Sequence, residues 1–195
     1  MKRVLRVSLA VVLSLGMAGL AAAQSSRQPM QSSATGNVDT NQRMQQRVVK
    51  EVRHELAMLP QLSVFDNLAY KVDGSTVTLL GQVRNAILKD EAAQVVKHIE
   101  GVEKVDNQIE ILPASINDDR IRRQVARAIF NEPRLFNYAF QSNPPIHIIV
   151  KNGRVDLQGV VRDQGDKDVA GIMANGVPGV FAVQNDLQVE KPSQK

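Results

Sequence analysis

The sequence predicts an α+β fold in which one αββαβ unit occurs twice in tandem. The stretch "VTLLGQV" at residues 77–83 returns as "VDLQGVV" at residues 155–161, and the match around it holds at a shift of 78 residues over 40 positions. Both stretches follow a hairpin-turn dipeptide, and both precede a helical pattern and then an alternating segment. A match that keeps its register over this length indicates an internal duplication.

Apolar, glycine and asparagine positions carry the duplication. At the shift of 78 the matching pairs include Val77 with Val155, Leu79 with Leu157, Gly81 with Gly159, Gly101 with Gly179 and Asn107 with Asn185. Upstream, a shift of 73 is needed, which pairs Pro60 with Pro133. The second copy therefore contains five extra residues between its first helix and its first strand.

In the first copy, a helix is expected over Arg43–Met58, because apolar residues recur at helical spacing and Pro60 follows. Those apolar residues are Met44, Val48, Val52 and Leu56. A strand over Leu68–Val72 then meets the turn signal Asp73-Gly74 and returns through Val77 and Leu79. A second helix over Asn85–Ile99 closes near Gly101, and one final strand is expected over Val105–Ile111.

The second copy repeats this order. Ser115-x-x-Asp118 resembles a capping box ahead of a helix that contains Ile121, Val125 and Ile129. Asn152-Gly153 supplies the hairpin turn. A helix is expected from about residue 166 to residue 175, ending at Gly176, and a last strand over 182–189. Each unit can then lay two helices on one face of a three-stranded mixed sheet.

The N-terminus is typical of a secretory signal over residues 1–23. Lys2, Arg3 and Arg6 precede an apolar run, and the small residues Ala21–Ala23 are of the kind a signal peptidase accepts. The rival interpretation is an uncleaved membrane anchor, which the run's serines, its glycines and the lack of a following basic cluster disfavour. Removing the signal takes away three basic and no acidic residues, so the net charge falls from +4 to +1.

The remaining chain divides into four predicted parts. Residues 24–40 are polar and form a disordered leader; the first domain covers 41–112, the second 116–190, and a tail 191–195.

With no cysteine, the chain has no disulfide and cannot carry the lipid of a bacterial lipoprotein. An exported protein, in the periplasm or outside the cell, is expected. The near-neutral charge gives no reason to expect a nucleic-acid partner.

Two motifs resemble the BON domain, a module named for bacterial osmotically induced and nodulation proteins. The first, V-x-L-x-G-x-V, is met at residues 77–83 and 155–161; the second, G-V-x-x-V-x-N with alternating apolar residues after it, is met at 101–111 and 179–189. The resemblance covers about residues 43–190. It implies a periplasmic, non-enzymatic protein that associates with phospholipid surfaces and supports envelope integrity under osmotic stress.

A basic and aromatic segment distinguishes the second copy from the first. Four of the seven aromatic residues lie close together in sequence, and arginines precede them. The residues predicted to bind lipid are Arg120, Arg122, Arg123, Arg127, Phe136, Tyr138 and Phe140. Basic side chains beside aromatic rings suit a membrane interface. The alternative is that the rings pack between the domains while the arginines are a solvated face.

The repeated glycine and asparagine residues are interpreted as structural. Gly81 and Gly159 mark a bulge or a close approach of a helix backbone within a strand, and Gly101 and Gly179 are turn residues. Asn107 and Asn185 are expected to bond backbone groups locally.

No catalytic, metal or cofactor site is expected. His54, His98 and His147 lie on separate elements, and no pair has metal-ligand spacing. A nucleophile motif is also missing.

Three functions remain open. The first is peripheral binding to an anionic phospholipid surface. The second is a chaperone or adaptor for exported client proteins, which exposed strand edges would bind. The third is a peptidoglycan- or ligand-binding module, which needs a polar pocket.

Overall fold

The structure, a computed structural model, describes residues 34–141 and 144–191. The predicted signal sequence and most of the predicted tail lie outside these residues. The helices are α1 (Ala34–Ala57), α2 (Ala86–Lys97), α3 (Ile116–Phe130) and α4 (Gln164–Asn175), with a 3-10 helix at Phe136–Phe140. The strands are β1 (Asn67–Asp73), β2 (Thr76–Val83), β3 (Lys104–Asn107), β4 (Glu110–Ile111), β5 (Ile146–Lys151), β6 (Arg154–Val161), β7 (Ala182–Asn185) and β8 (Gln188–Val189).

Both domains have the predicted mixed sheet. In the first, β2 pairs antiparallel with β1 and parallel with β3 and β4; in the second, β6 pairs in the same way with β5, β7 and β8. The register is also the same, since Leu79 pairs with Asn107 and Leu157 pairs with Asn185. The predicted α+β fold with two tandem αββαβ units is confirmed.

Each domain has its own apolar core between the sheet and its two helices. Leu79 and Leu157 occupy equivalent places and are both fully buried. Val52 of α1 and Val125 of α3 are likewise buried against their sheets. Full burial of one such aliphatic side chain contributes about 1.5–3 kcal/mol. The apolar positions that recur in the two copies therefore form the two cores.

The first helix begins earlier than the sequence predicts. α1 starts at Ala34 rather than Arg43, so it includes residues 34–40 of the segment predicted as a leader; residues 24–33 of that segment lie outside the described residues. Once the packed turns around Val48 and Val52 are formed, each added residue gains one backbone hydrogen bond, which offsets the conformational entropy that this residue loses. The extension was not predicted because residues 34–42 have only a weak amphipathic pattern.

The final strand of each domain is two short strands, not one. In the first domain Asn107 interrupts it: the side-chain amide donates to the Lys89 carbonyl in α2 at 2.8 Å, and its oxygen accepts from the Ile109 N–H at 3.3 Å. In the second domain Asn185 bonds Lys167 and Leu187 in the same way. The bond to the helix lies outside the predicted local role of these asparagines.

Gly81 and Gly159 allow the neighbouring strand, not a helix, to approach. Both have positive φ, 113° and 119°, and a Cβ on either would overlap the carbonyl oxygen of Asn67 or Pro145 respectively. The β1–β2 pairing stays in register through Gly81, so Gly81 is not a bulge, while Gly159 forms the last β5–β6 pair, with Ile146. At both glycines the close approach is by a strand rather than by the predicted helix backbone.

Asp118 does not complete the predicted capping box. Ser115 caps α3, since its hydroxyl accepts from the Asp118 N–H at 3.2 Å. The buried Asp118 carboxylate instead accepts from the backbone N–H groups of Asn152 and Gly153, at 2.9 and 2.8 Å. These two residues have φ of 53° and 73°, as a two-residue hairpin turn of this type needs. Asp118 thus ties the start of α3 to the β5–β6 turn.

The two domains contact one another near the start of β5. The Ile148 N–H donates to the Val64 carbonyl at 2.7 Å, and Phe65 packs against the core of the second domain. Lys151 forms an ion pair with Glu110 across the junction.

Candidate functional site

Three of the four predicted arginines of α3 face solvent. Arg120, Arg123 and Arg127 are exposed, and their spacing of three and four residues places them along one side of the helix. Arg122 is buried, with 2% of its surface exposed, and donates to the Val150 carbonyl at 2.5 Å and to Asp119 at 2.6 Å. The prediction that Arg122 meets lipid is therefore wrong, because its guanidinium is buried and already donates hydrogen bonds within the domain.

The aromatic residues of the 3-10 helix also divide. Phe136 and Phe140 are 46% and 71% exposed, and their rings meet edge to face at 4.7 Å. Tyr138 is buried; its hydroxyl donates to Asp166 at 2.6 Å and accepts from the Arg162 N–H at 2.8 Å. Tyr138 packs within its own domain and does not form part of an exposed surface.

The predicted lipid-binding residues do not form one cluster. Arg120 lies in the second turn of α3, whereas Phe136 and Phe140 follow the other end of this helix. A helix of this length spans about 20 Å. Arg120 and the phenylalanine pair are thus at opposite ends of the domain.

A buried carboxylate organises the end of the domain that holds the 3-10 helix. Asp166 is fully buried, with Arg134 Nε 2.6 Å from one of its oxygens and Arg162 Nη2 3.2 Å from the other. Arg134 also donates to Asp163 at 2.6 Å. Burial raises the pKa of Tyr138, and the hydrogen bond from the Asp166 N–H, followed by Arg134, lowers the pKa of Asp163. The pKa of Arg134 is raised by Asp163 first and Asp166 second.

The first domain lacks this network at matching positions. Leu88, also fully buried, stands where the second domain has Asp166. A neutral amide pair, Asn85 to Gln61 at 2.7 Å, replaces the Asp163–Arg134 ion pair. The mismatch of Leu88 with Asp166 in the repeat alignment was the sequence signal that could have revealed this buried charge.

The first helices of the two domains carry different charge. At the shift of 73, Arg120, Arg123 and Arg127 of α3 match Arg47, Lys50 and His54 of α1. Glu51 and Glu55 accompany the basic residues of α1, and α3 has Gln124 and Ala128 at those positions. Only the arginine row of α3 is free of acidic neighbours along the helix after Asp119.

The three histidines belong to three different elements. His54 is on α1, His98 caps α2 with a ring nitrogen 2.7 Å from the Gln94 carbonyl, and His147 is on β5. Burial lowers the pKa of His147. Within residues 34–141 and 144–191, no group of three or more metal-ligating side chains lies together.

A cleft of about 490 Å³ lies between the domains. Gln82, Glu110 and Leu112 line it from the first domain, and residues of β5, β6 and β7 line it from the second. Burial raises the pKa of Asp156, which lies in this cleft. Polar and apolar side chains both line this cleft.

The BON domain model matches this chain twice, at residues 45–113 and 117–191. The chain is also 27% identical to osmotically-inducible protein Y of Escherichia coli (strain K12), over 96% of this chain and 97% of that protein.

Two solved structures of CdsD, a structural protein of the type III secretion system of Chlamydia trachomatis, show a weaker likeness. One, of the C-terminal domain, is 14% identical, with 74% of this chain and 98% of that chain covered and a TM-score of 0.27. The other is 13% identical, with 73% and 92% covered and the same TM-score. Scores this low establish no shared architecture.

Proposed function

We propose that this chain, which belongs to the BON domain family, is a non-enzymatic envelope protein that binds anionic phospholipid surfaces under osmotic stress. The stress role is supported by the name of its relative from Escherichia coli, which matches nearly end to end. Location in the periplasm is supported by the predicted secretory signal at residues 1–23. In the described part of the chain, no helix has the length and apolar character needed to cross a membrane. Attachment from one side of the membrane is the mode proposed.

The observation that carries the proposal is the exposed arginine row of α3. Arg120, Arg123 and Arg127 lie on one side of this helix, and acidic residues do not alternate with them as Glu51 and Glu55 do on α1. Guanidinium groups bind phosphate through paired hydrogen bonds, so this face suits phospholipid head groups. A folding requirement does not explain it, since α1 packs in the same way with mixed charge.

Magnitudes show that charge alone is insufficient. Each arginine near an anionic surface contributes about 1 kcal/mol, and three give about 3 kcal/mol, which is weaker than millimolar binding. Insertion of one exposed phenylalanine adds about 1.5–3 kcal/mol. Together these terms give a dissociation constant of roughly 10⁻⁴ M. The bound state therefore needs both arginines and an inserted apolar side chain.

Sedimentation with vesicles tests this proposal. The mature chain is expected to bind phosphatidylglycerol vesicles at low salt, to release them as salt screens the arginines, and to leave phosphatidylcholine vesicles unbound. If anionic vesicles do not retain the protein at low ionic strength, lipid binding is not its function.

A second candidate is a chaperone or adaptor for exported proteins. It is favoured by β3 and β7, each of which pairs with a strand on one side only in the described sheets. An extended client segment could add to such an edge through backbone hydrogen bonds. Suppression of aggregation of an unfolded exported protein without lipid would favour this candidate; failure in that assay, with vesicle binding intact, would remove it.

A further inference from the structure

One end of the second domain exposes two large apolar side chains. We name it the hairpin end and define it by the β5–β6 turn (Asn152–Gly153), the first two turns of α3 and the segment Gly179–Phe181. Ile116 is 89% exposed and Phe181 is 76% exposed, the highest values among the large apolar side chains of the described residues. Exposed apolar groups concentrated at one end mark a contact surface more often than scattered ones do.

The backbone holds Phe181 in place. Its N–H donates to the Gly153 carbonyl at 2.8 Å, and the preceding Val180 N–H donates to the Val177 carbonyl at 3.2 Å. Asp118 fixes the turn from the other side through the Asn152 and Gly153 N–H groups. The ring is thus presented by an ordered support, which lowers the entropy lost when it binds.

Two unpaired cations accompany the ring. The Arg154 guanidinium lies 5.2 Å from the centroid of the Phe181 ring, in the range of a cation–π contact. A Cβ on Gly179 would lie 3.5 Å from Arg120 Nη2, so Arg120 borders the same segment. Among the described residues, neither arginine has a carboxylate within 4 Å. Positive charge and apolar surface therefore occur together here.

The first domain provides an internal comparison. At the positions of Phe181 and Arg154 it has Glu103 and Thr76, and at the position of Ile116 it has Arg43. Glu103 accepts a hydrogen bond from the Ser75 hydroxyl at 2.8 Å. The same backbone thus forms with polar residues at this end, so folding does not require an exposed phenylalanine there.

The end that holds the 3-10 helix is less suited to lipid. Phe136 and Phe140 partly cover one another, and Arg134, the arginine just before them in sequence, is already held by Asp163 and Asp166. An anionic head group would have to displace those carboxylates. The hairpin end requires no such exchange.

We propose that the hairpin end of the second domain inserts into the anionic phospholipid surface, with Phe181 entering the acyl region and Arg154 and Arg120 binding phosphates. This inference rests on the proposed function and specifies its contact residues. An apolar ring with a cation stacked on it matches the change from acyl chain to phosphate across a leaflet. The arginine row of α3 starts at this same end, so Arg123 and Arg127 add long-range attraction.

The absence of tryptophan from the sequence permits a direct test. Phe181→Trp and Phe140→Trp each introduce a single tryptophan. On phosphatidylglycerol vesicles, Phe181→Trp is expected to shift its emission to the blue and to be quenched by brominated acyl chains, whereas Phe140→Trp stays unshifted. A blue shift of Phe140→Trp alone would overturn the inference while the proposed function stands. A blue shift of Phe181→Trp with rising protein concentration, without vesicles, would instead indicate self-association and also overturn it.

Removal of the side chain gives a second measurement. Phe181→Ser is expected to weaken vesicle binding roughly ten-fold or more, and Phe140→Ser less than two-fold. Because both side chains are mostly exposed, neither variant should change the melting temperature appreciably. If the wild-type chain binds and Phe181→Ser binds equally well, the hairpin end is not the contact; if the wild-type chain does not bind, the proposed function itself fails.

Discussion

In the first domain Leu88 fills the position that the buried Asp166 fills in the second, yet both sheets have the same register. A leucine needs only apolar neighbours at this place. The aspartate needs Tyr138, Arg134 and Arg162, and the second domain supplies all three. The backbone is thus determined by positions that the two domains share, while the buried polar groups vary between them.

The surfaces differ more than the cores. The first domain shows mixed charge on α1 and a glutamate at its hairpin turn, whereas the second shows an unbroken arginine row and Phe181. Since one fold accommodates both, the differences at the surface are where a difference in function is to be sought.

The largest expected effect tests what the domains share. Gly81→Ala and Gly159→Ala should each destabilise their domain by at least about 3 kcal/mol, because a Cβ at this positive φ overlaps a strand carbonyl. Gly74→Ala is the matched control: φ is 59°, but no atom lies within 4 Å of its Cβ, so the loss should be about 1 kcal/mol. Urea unfolding measures all three. Equal losses would show that the close strand approach is unimportant.

The next effect tests the link between α3 and the β5–β6 turn. Asp118→Ala should cost about 2–3 kcal/mol, because two backbone N–H groups lose a buried charged acceptor. Gln45→Ala, at the matching exposed position of α1, should change stability by less than about 0.5 kcal/mol. Chemical denaturation measures the free energy of unfolding of both variants. If Asp118→Ala loses as little stability as Gln45→Ala, Asp118 does not link α3 to the β5–β6 turn.

A smaller effect depends on pH and concerns His147. Burial lowers its pKa in the folded chain below the usual 6.5, so the folded state resists protonation. The stability this group contributes is complete above about pH 6.5 and is lost as pH falls through the lowered pKa. The first domain has Ala69 at the matching position. His147→Gln should reduce the slope of melting temperature against pH in this window. An unchanged slope would mean that other groups cause the pH dependence.

The smallest effect is at the domain junction. Lys151 and Glu110 form an ion pair whose side chains are 49% and 43% exposed. Lys151→Ala should change stability by less than about 0.5 kcal/mol, and added salt should abolish the difference. A larger loss in denaturation experiments would mean that this pair holds the domains together.

Much of the fold could be predicted because it depends on repeated apolar periodicity. The order of elements, the two hairpins and the buried faces of Val52 and Leu79 followed from spacing alone. The break at Asn107 could not be predicted, because its partner is a helix carbonyl 18 residues away. Periodicity carries no information about such a bond.

The candidate site was predicted less well for a related reason. Arg122 and Arg123 are neighbours in sequence, but one lies inside the domain and the other outside, since a helix turns by about 100° per residue. Tyr138 was counted with Phe136 and Phe140 because the sequence does not show the buried Asp166 that binds it. Phe181 was overlooked because it lies outside the predicted elements, directly before the strand expected over 182–189, where no periodic pattern reports on burial.

The most direct test removes the basic side chains from one or the other of the two matching helices. One variant replaces the α3 row by glutamine and the other the equivalent α1 positions: Arg120, Arg123 and Arg127 against Arg47, Lys50 and His54. At about 1 kcal/mol each, loss of the α3 row should weaken binding to phosphatidylglycerol vesicles roughly 100-fold. The α1 variant should bind within about three-fold of the wild-type chain, since Glu51 and Glu55 already offset its basic residues. Equal losses in the two variants, or a larger loss from α1, would contradict a membrane contact that belongs to the second domain.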